Sequence, residues 1–140
     1  MTREVITVPP SLLVTNCWSI MQAKRIRHLP VVQEGRLVGM LSDRDLLRFG
    51  NVLPSGELGL LRRHAVDLMT LTPIVCAPDT SVAEAAQIMT EKKIDALPVA
   101  VDGRLVGLVT SADLLHLLFD SSEKTLPFEF RVELVGSLEA

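Results

Sequence analysis

Val82, Ala85, Ala86 and Met89 stand at spacings i, i+3, i+4 and i+7, and Val14, Cys17, Trp18 and Met21 repeat that spacing earlier in the chain. The period gathers four apolar side chains on one helix face, which the fold must bury. Ser81 and Glu84, just ahead of the later stripe, have the spacing of a capping box. Each stripe follows a short apolar segment, around Ile6 or Ile74, that ends at Pro10 or Pro78 and reads as a strand. Two further apolar runs come next. Leu29 to Gln33 and Arg36 to Leu41 flank Glu34-Gly35, and Leu97 to Val101 and Arg104 to Val109 flank Asp102-Gly103. Such two-residue joints suit hairpin turns that need positive φ. A last helix starts at Ser42 or Thr110 and carries Leu46-Leu47 or Leu114-Leu115 inward. The predicted order is strand, helix, strand, strand, helix, twice over. This is a mixed α/β (α+β) class in which each copy is a small sheet with two packed helices.

The two copies are one unit duplicated. Pro30 matches Pro98, Gly39 matches Gly107 and Asp45 matches Asp113, always 68 residues apart. Without a gap, 20 of 47 positions are identical between residues 1–47 and 69–115. The chain therefore divides into a first repeat over 1–50, a connector over 51–68, a second repeat over 69–119 and a tail over 120–140. The connector breaks at Pro54-Ser55-Gly56 and then reads as a helix from about Glu57 to Met69. In the tail, a polar loop at Asp120 to Lys124 leads to alternating Phe128, Phe130, Val132 and Leu134. That alternation predicts a strand covering a sheet edge of its own chain or pairing with another subunit.

Composition removes several functions. The net charge of −3 comes with no basic run, so nucleic acid has no electrostatic footprint here, and four Phe, one Trp and no Tyr offer little base stacking. Cys17 and Cys76 lie far apart with no histidine at ligand spacing, which predicts neither a metal site nor a disulfide framework. No apolar run reaches the ~18 to 20 residues of a membrane span, and the N-terminus lacks a secretory pattern, so a cytoplasmic protein is expected. No nucleophile, base and orienter stand at recognisable spacing, and no Walker-type loop is present; no catalytic residues are assigned, and an enzyme is not expected.

The sharpest candidates for binding are Ser42-x-x-Asp45 and Thr110-x-x-Asp113, where a strand hands over to a helix. Unpaired N–H groups and a hydroxyl at a helix start suit a phosphate. An ionised Asp one turn later is acceptor-only and suits the vicinal hydroxyls of a ribose. The same spacing is also that of a capping box that merely starts a helix, and both readings stand on the residues alone.

His28-Leu29-Pro30-Val31-Val32, Gly35 to Gly39 and Ser42-Asp43-Arg44-Asp45-Leu46 together resemble a CBS domain. So do Ala96-Leu97-Pro98-Val99, Gly103 to Gly107 and Thr110 to Leu114, with the lead-in Val66 to Ile74. The resemblance implies a pair of CBS repeats, a Bateman module, with pseudo-twofold symmetry and clefts between the repeats. It implies AMP, ADP, ATP or S-adenosylmethionine as a regulatory ligand, with no cofactor required, and a homodimer that regulates a separate protein. On this pattern Asp45 and Asp113 fall where the family contacts ribose, with Ser42 and Thr110 beside them. Arg27 and His28 fall where nucleotide-binding members place cations on phosphate. Backbone near Ile6, Thr7, Thr72 and Ile74 would hold the base, with walls from Val31, Val99, Met40 and Leu108.

The copies differ in charge. Residues 1–47 hold six Lys/Arg against four Asp/Glu, and residues 69–115 hold three against six. Asp95 and Ala96 stand where the first copy has Arg27 and His28, and Val5 replaces the proline found at Pro73. Two equivalent phosphate sites are not expected. The alternative function is a ligand-free dimerisation or protein-interaction module that uses the tail strand.

Overall fold

The computed structural model of the chain describes residues 2–59, 62–117 and 129–134. Elements follow in the order β1 (Thr2–Thr7), α1 (Val14–Lys24), β2 (His28–Gln33), β3 (Arg36–Ser42), α2 (Asp43–Phe49), β4 (Asn51–Val52) and β5 (Leu58–Gly59). They continue with α3 (Ala65–Leu68), β6 (Thr70–Leu71), α4 (Val82–Lys92), β7 (Ala96–Val101), β8 (Arg104–Thr110), α5 (Ser111–Leu117) and β9 (Glu129–Leu134). They form two compact units: one holds residues 6–59, 62–73 and 133–134, the other residues 2–5, 74–117 and 129–132.

In the first unit β2 and β3 pair antiparallel from His28↔Ser42 to Gln33↔Arg36. Glu34 at φ 53° and Gly35 at φ 80° make the turn, the left-handed pair that a two-residue hairpin requires. Val8 bridges Val31 in parallel, with the Val8 N–H on the Pro30 carbonyl and the Val32 N–H on the Val8 carbonyl. On β3, Gly39 and Met40 take β6 as a neighbour through Leu71 and Thr70. Gly39 has to be glycine for this approach, because a Cβ there would stand 2.5 Å from Met69 Sδ and 3.0 Å from the Thr70 carbonyl oxygen. The α1 stripe Val14, Cys17, Trp18 and Met21 is buried as expected and packs in one core with Val8, Leu12, Leu29, Leu41 and Leu46. Leu13 lends no side-chain cap to α1; instead the Val14 N–H donates to the Arg63 carbonyl at 2.8 Å.

The second unit repeats this plan at the same offset. β7 pairs with β8 from Ala96↔Thr110 to Val101↔Arg104, and Asp102 and Gly103 turn at φ 50° and 80°. Cys76 takes the place of Val8, bridging Val99. Ser81 Oγ accepts from the Glu84 N–H at 3.0 Å and opens α4. Val82, Ala85 and Met89 enter a core with Leu97, Val99, Val109 and Leu114, while Ala86 is only half-buried at its edge. β9 forms a two-stranded sheet with β1, so the tail strand pairs within its own chain. Phe128 and the loop Asp120 to Lys124 lie outside the described residues.

Three expectations are corrected. The helix expected from Glu57 to Met69 shrinks to Ala65–Leu68, because Leu58 and Gly59 pair with Val52 and Asn51. Gly59, a poor helix former, lets Leu53 settle against its bare Cα. The short helix then starts afresh at His64, whose N–H donates to Asp67 Oδ2 at 2.8 Å. The strand expected around Ile74 is replaced by β6 at Thr70–Leu71. Thr72, at φ 50°, turns the chain ahead of Pro73, which has no N–H to donate, and leaves Ile74 and Val75 exposed. Only one leucine of each pair turns inward: Leu46 and Leu114 are buried, but Leu47 and Leu115 are 43% and 61% exposed. Adjacent helical residues point about 100° apart, so on these two short helices the second leucine of each pair turns away from the core that holds the first.

Both cysteines are free and buried. Burial is the main cause that pushes the Cys17 thiol up to about 12 and the Cys76 thiol up to about 11. The fold favours the protonated thiols, so their contribution is complete below the ordinary thiol range and is lost as pH rises toward 11 to 12. Urea midpoints taken from pH 7 to 10.5 are expected to fall more steeply in the parent chain than in Cys17→Ala. A thiol reagent at pH 8 should label neither cysteine until the chain unfolds; rapid native labelling would contradict their burial. No helix among the described residues is long and apolar enough to cross a membrane.

Candidate functional site

Each unit builds the same corner. β3 ends at Ser42, where extended backbone at φ −115° and ψ 163° turns directly into α2. Ser42 Oγ accepts from the Asp45 N–H at 3.2 Å, and Asp45 Oδ2 accepts from the Ser42 N–H at 2.8 Å. In the second unit Thr110 Oγ1 accepts from the Asp113 N–H at 3.3 Å, and Asp113 Oδ2 accepts from the Thr110 N–H at 2.8 Å. The capping reading is thus realised in both copies. A carboxylate has two oxygens and a capped hydroxyl still has its own proton, so the bonds that start the helix leave each pair with further capacity. Among the described residues Asp45 Oδ1 carries no hydrogen bond. Asp113 is the more enclosed of the two, at 5% exposure.

The register brings the cations of the first repeat to its corner. His28 is the strand partner of Ser42, and the Arg27 carbonyl accepts the Asp43 N–H at 2.9 Å. Arg27 is exposed and His28 half-buried. The equivalent positions of the second unit are Ala96, opposite Thr110, and Asp95, whose carbonyl accepts the Ser111 N–H at 2.9 Å. One corner therefore carries an Arg and a His where the other carries an Asp and an Ala. Helices α2 and α5 are each described over seven residues. So short a helix has little aligned dipole to offer an anion, so side-chain cations matter more here than the helix start itself.

The remaining candidates divide. Ile6 and Thr7 are buried, at 8% and 1%, immediately before the Val8 bridge to β2. Thr72 is exposed and belongs with the first unit, whereas Ile74 opens the second at 39% exposure. Val31 and Val99, expected as pocket walls, are fully buried and belong to the cores of their units. Met40 and Leu108 are half-buried, which leaves them able to form walls.

A groove of about 510 Å³ lies in the second unit between α4 and α5. Its floor includes Ala86, Met89 and Leu114, and Lys93, Asp95 and Leu115 also line it. Ala86 lies on the apolar helical stripe and is expected to be buried there, so the stripe gives no sign of the groove. The signal was in the alignment of the copies, since Trp18 stands where Ala86 does.

Comparison with known proteins identifies the same two repeats. The family model described as CBS domain matches residues 1–51 and 65–120. The CBS domain-containing protein YhcV of Bacillus subtilis is 33% identical over 115 residues, which cover 81% of this chain and 79% of YhcV. An inosine-5'-monophosphate dehydrogenase of Korarchaeum cryptofilum is 37% identical over 81% of this chain, but the chain spans only 22% of that enzyme. Among solved structures, CBSX2 in complex with AMP superposes with a TM-score of 0.70 at 28% identity, covering 82% of this chain and 88% of its own. The CBS domain pair of MJ0100, in complex with 5-methylthioadenosine and S-adenosyl-L-methionine, also gives 0.70 at 28% identity, covering 84% and 90%.

Proposed function

The chain belongs to the CBS domain family, and from that membership we propose a non-enzymatic regulatory module that binds an adenosyl ligand, with AMP, ADP or ATP ahead of S-adenosylmethionine. The observation that carries the reading is the twice-built corner, with Ser42 and Asp45 in one repeat and Thr110 and Asp113 in the other. In each, a hydroxyl and a carboxylate are locked 3 residues apart by reciprocal bonds. Locking matters because a preset donor and acceptor need no ordering when a ribose arrives. Arg27 and His28 at the first corner supply positive charge for phosphate. The two structural neighbours support the ligand class, since one holds AMP and the other adenosyl compounds. Ile6, Thr7, Thr72 and Ile74 are proposed to border the base through backbone groups. In this reading the protein is cytoplasmic, self-associates as a homodimer and passes ligand occupancy to a separate protein by a shift in population.

A thermal-shift panel of AMP, ADP, ATP, S-adenosylmethionine and NADH, with calorimetry on each hit, tests this. Ligand at about 100 times its dissociation constant adds about 2.7 kcal/mol. A shift with an adenosyl compound is expected; no shift with any of them, on protein shown to be ligand-free, refutes the nucleotide reading. Arg27→Ala should weaken ATP or AMP roughly tenfold, equivalent to ~1.4 kcal/mol, and leave S-adenosylmethionine unchanged. An equal loss for both classes would take Arg27 off the phosphate.

The second reading, a ligand-free interaction module, is favoured by the open α4–α5 groove. It no longer rests on the tail strand alone, because β9 already pairs with β1.

A further inference from the structure

The two corners share their backbone bonds and differ in their side chains. The Arg27 carbonyl accepts the Asp43 N–H at 2.9 Å, and the Asp95 carbonyl accepts the Ser111 N–H at the same distance. His28 faces Ser42 across one strand pair as Ala96 faces Thr110 across the other. Positions 27 and 95 are therefore held alike relative to their capping pairs. Around the first corner Arg25, Arg27 and His28 stand with Asp43 and Asp45; the equivalent residues of the second are Lys93, Asp95, Ala96, Ser111 and Asp113. Two arginines and a histidine face two carboxylates in one corner, and a single lysine faces two carboxylates in the other. Asp95 is half-buried and makes no ion pair with a described residue. With Ser111 it also lines the α4–α5 groove, so this end of the corner is open to a solute.

We infer that Asp95 sets the ligand class of the second corner: it rejects adenosyl ligands with phosphate on the 5′ carbon and admits those whose 5′ substituent is cationic or neutral, a sulfonium or a thioether. The inference rests on the nucleotide reading above and divides its ligands between the corners. A ribose held by Thr110 and Asp113 lies as one held by Ser42 and Asp45 does, because the reciprocal bonds that set the two pairs are the same. The 5′ substituent that meets Arg27 in the first corner meets Asp95 in the second. A phosphate there faces a carboxylate of its own sign, and a half-buried carboxylate is screened by salt less than an exposed one. Asp113, 5% exposed, already holds one negative charge in the same corner. A sulfonium finds a counter-ion in Asp95, and an uncharged thioether is neither attracted nor repelled.

Calorimetry on the full chain tests this, with Asp45→Asn as the background that weakens the first corner. The probes are S-adenosylmethionine, 5′-methylthioadenosine and AMP, which share the adenosine and differ in the charge at the 5′ carbon. On that background S-adenosylmethionine is expected to bind at least about tenfold tighter than AMP. Asp95→Asn keeps the size of the side chain and the backbone bond to Ser111, and should narrow that ratio at least about threefold. Asp95→Arg should reverse it. 5′-Methylthioadenosine should bind alike with Asp, Asn or Arg at position 95, whereas a merely structural role for Asp95 would move all three probes together. Raising salt from about 50 to about 500 mM should shrink the ratio with Asp95 in place and leave it steady in Asp95→Asn. Conversely, Arg27→Asp on an Asp113→Asn background should turn the first corner from AMP toward S-adenosylmethionine. AMP binding the second corner as tightly as S-adenosylmethionine, or a ratio that both Asp95 variants leave untouched, overturns the inference and leaves the nucleotide reading in place. So does a second corner that takes none of the probes while the parent chain binds. If no adenosyl compound binds the parent chain, both readings fall.

Discussion

Asp45→Asn is expected to weaken binding of the adenosyl ligand at least about tenfold while leaving the unfolding midpoint close to that of the parent chain. The asparagine side-chain oxygen still accepts the Ser42 N–H, which Asp45 Oδ2 now accepts at 2.8 Å, so α2 keeps its start. What changes is the second oxygen. It becomes an amide donor, set against ribose hydroxyls that need an acceptor, and the negative charge is gone. Asp45→Ala removes the acceptor as well, and should add a loss of stability of about 0.5–2 kcal/mol to the loss of binding. Asp113→Asn should behave as Asp45→Asn does. For Asp113→Ala the stability loss should be the larger of the two alanine variants, since Asp113 is buried and water cannot readily replace its bond to Thr110. Calorimetry paired with urea unfolding separates the two effects. If all four variants bind as the parent does, the corners are helix caps alone and the ligand is held elsewhere.

Features that follow from local chemistry were legible before the structure. The hairpins came from Glu34-Gly35 and Asp102-Gly103, whose positive φ values are the ones such turns impose. The buried stripes came from the helical period, and the corners from Ser42-x-x-Asp45 and its copy. What escaped was decided by neighbours distant in the sequence. Whether Leu46 or Leu47 turns inward depends on how α2 lies on its sheet, and both residues are equally apolar. The stretch from Glu57 to Met69 reads as a helix following the break at Pro54-Ser55-Gly56, but Leu58 and Gly59 pair with Val52 and Asn51 in the β4–β5 hairpin, with Leu53 against Gly59. The candidate site was legible only as a pattern with two meanings, and the bonds at the corners show the capping one: Ser42 with Asp45 and Thr110 with Asp113. The groove was the least visible feature, because it comes from a side chain one copy lacks.

That difference between the copies predicts unequal responses to one substitution made twice. Leu29 and Leu97 occupy equivalent places, and each is fully buried in the core of its unit. Truncation to alanine removes the same atoms and is expected to cost about 2–5 kcal/mol, with the position in that range set by how far the surroundings can close the cavity. Leu29 shares its core with Trp18, Met21, Leu12 and Leu41. Trp18 is tied to Gly56, so this wall moves little, and Leu29→Ala belongs near the upper end. Leu97 shares its core with Met89, which also lines the α4–α5 groove and is free to shift on its unbranched chain. Leu97→Ala therefore belongs near the lower end. Urea unfolding reports the total loss, and hydrogen exchange at Val31 and Val99 assigns it to a unit. Equal losses, or a larger one for Leu97→Ala, would mean that the open groove does not soften the second core. Ala86→Trp supplies the converse: an indole in the groove should hold Met89 in place and move the loss in Leu97→Ala toward that in Leu29→Ala, a coupling that a double-mutant cycle measures directly.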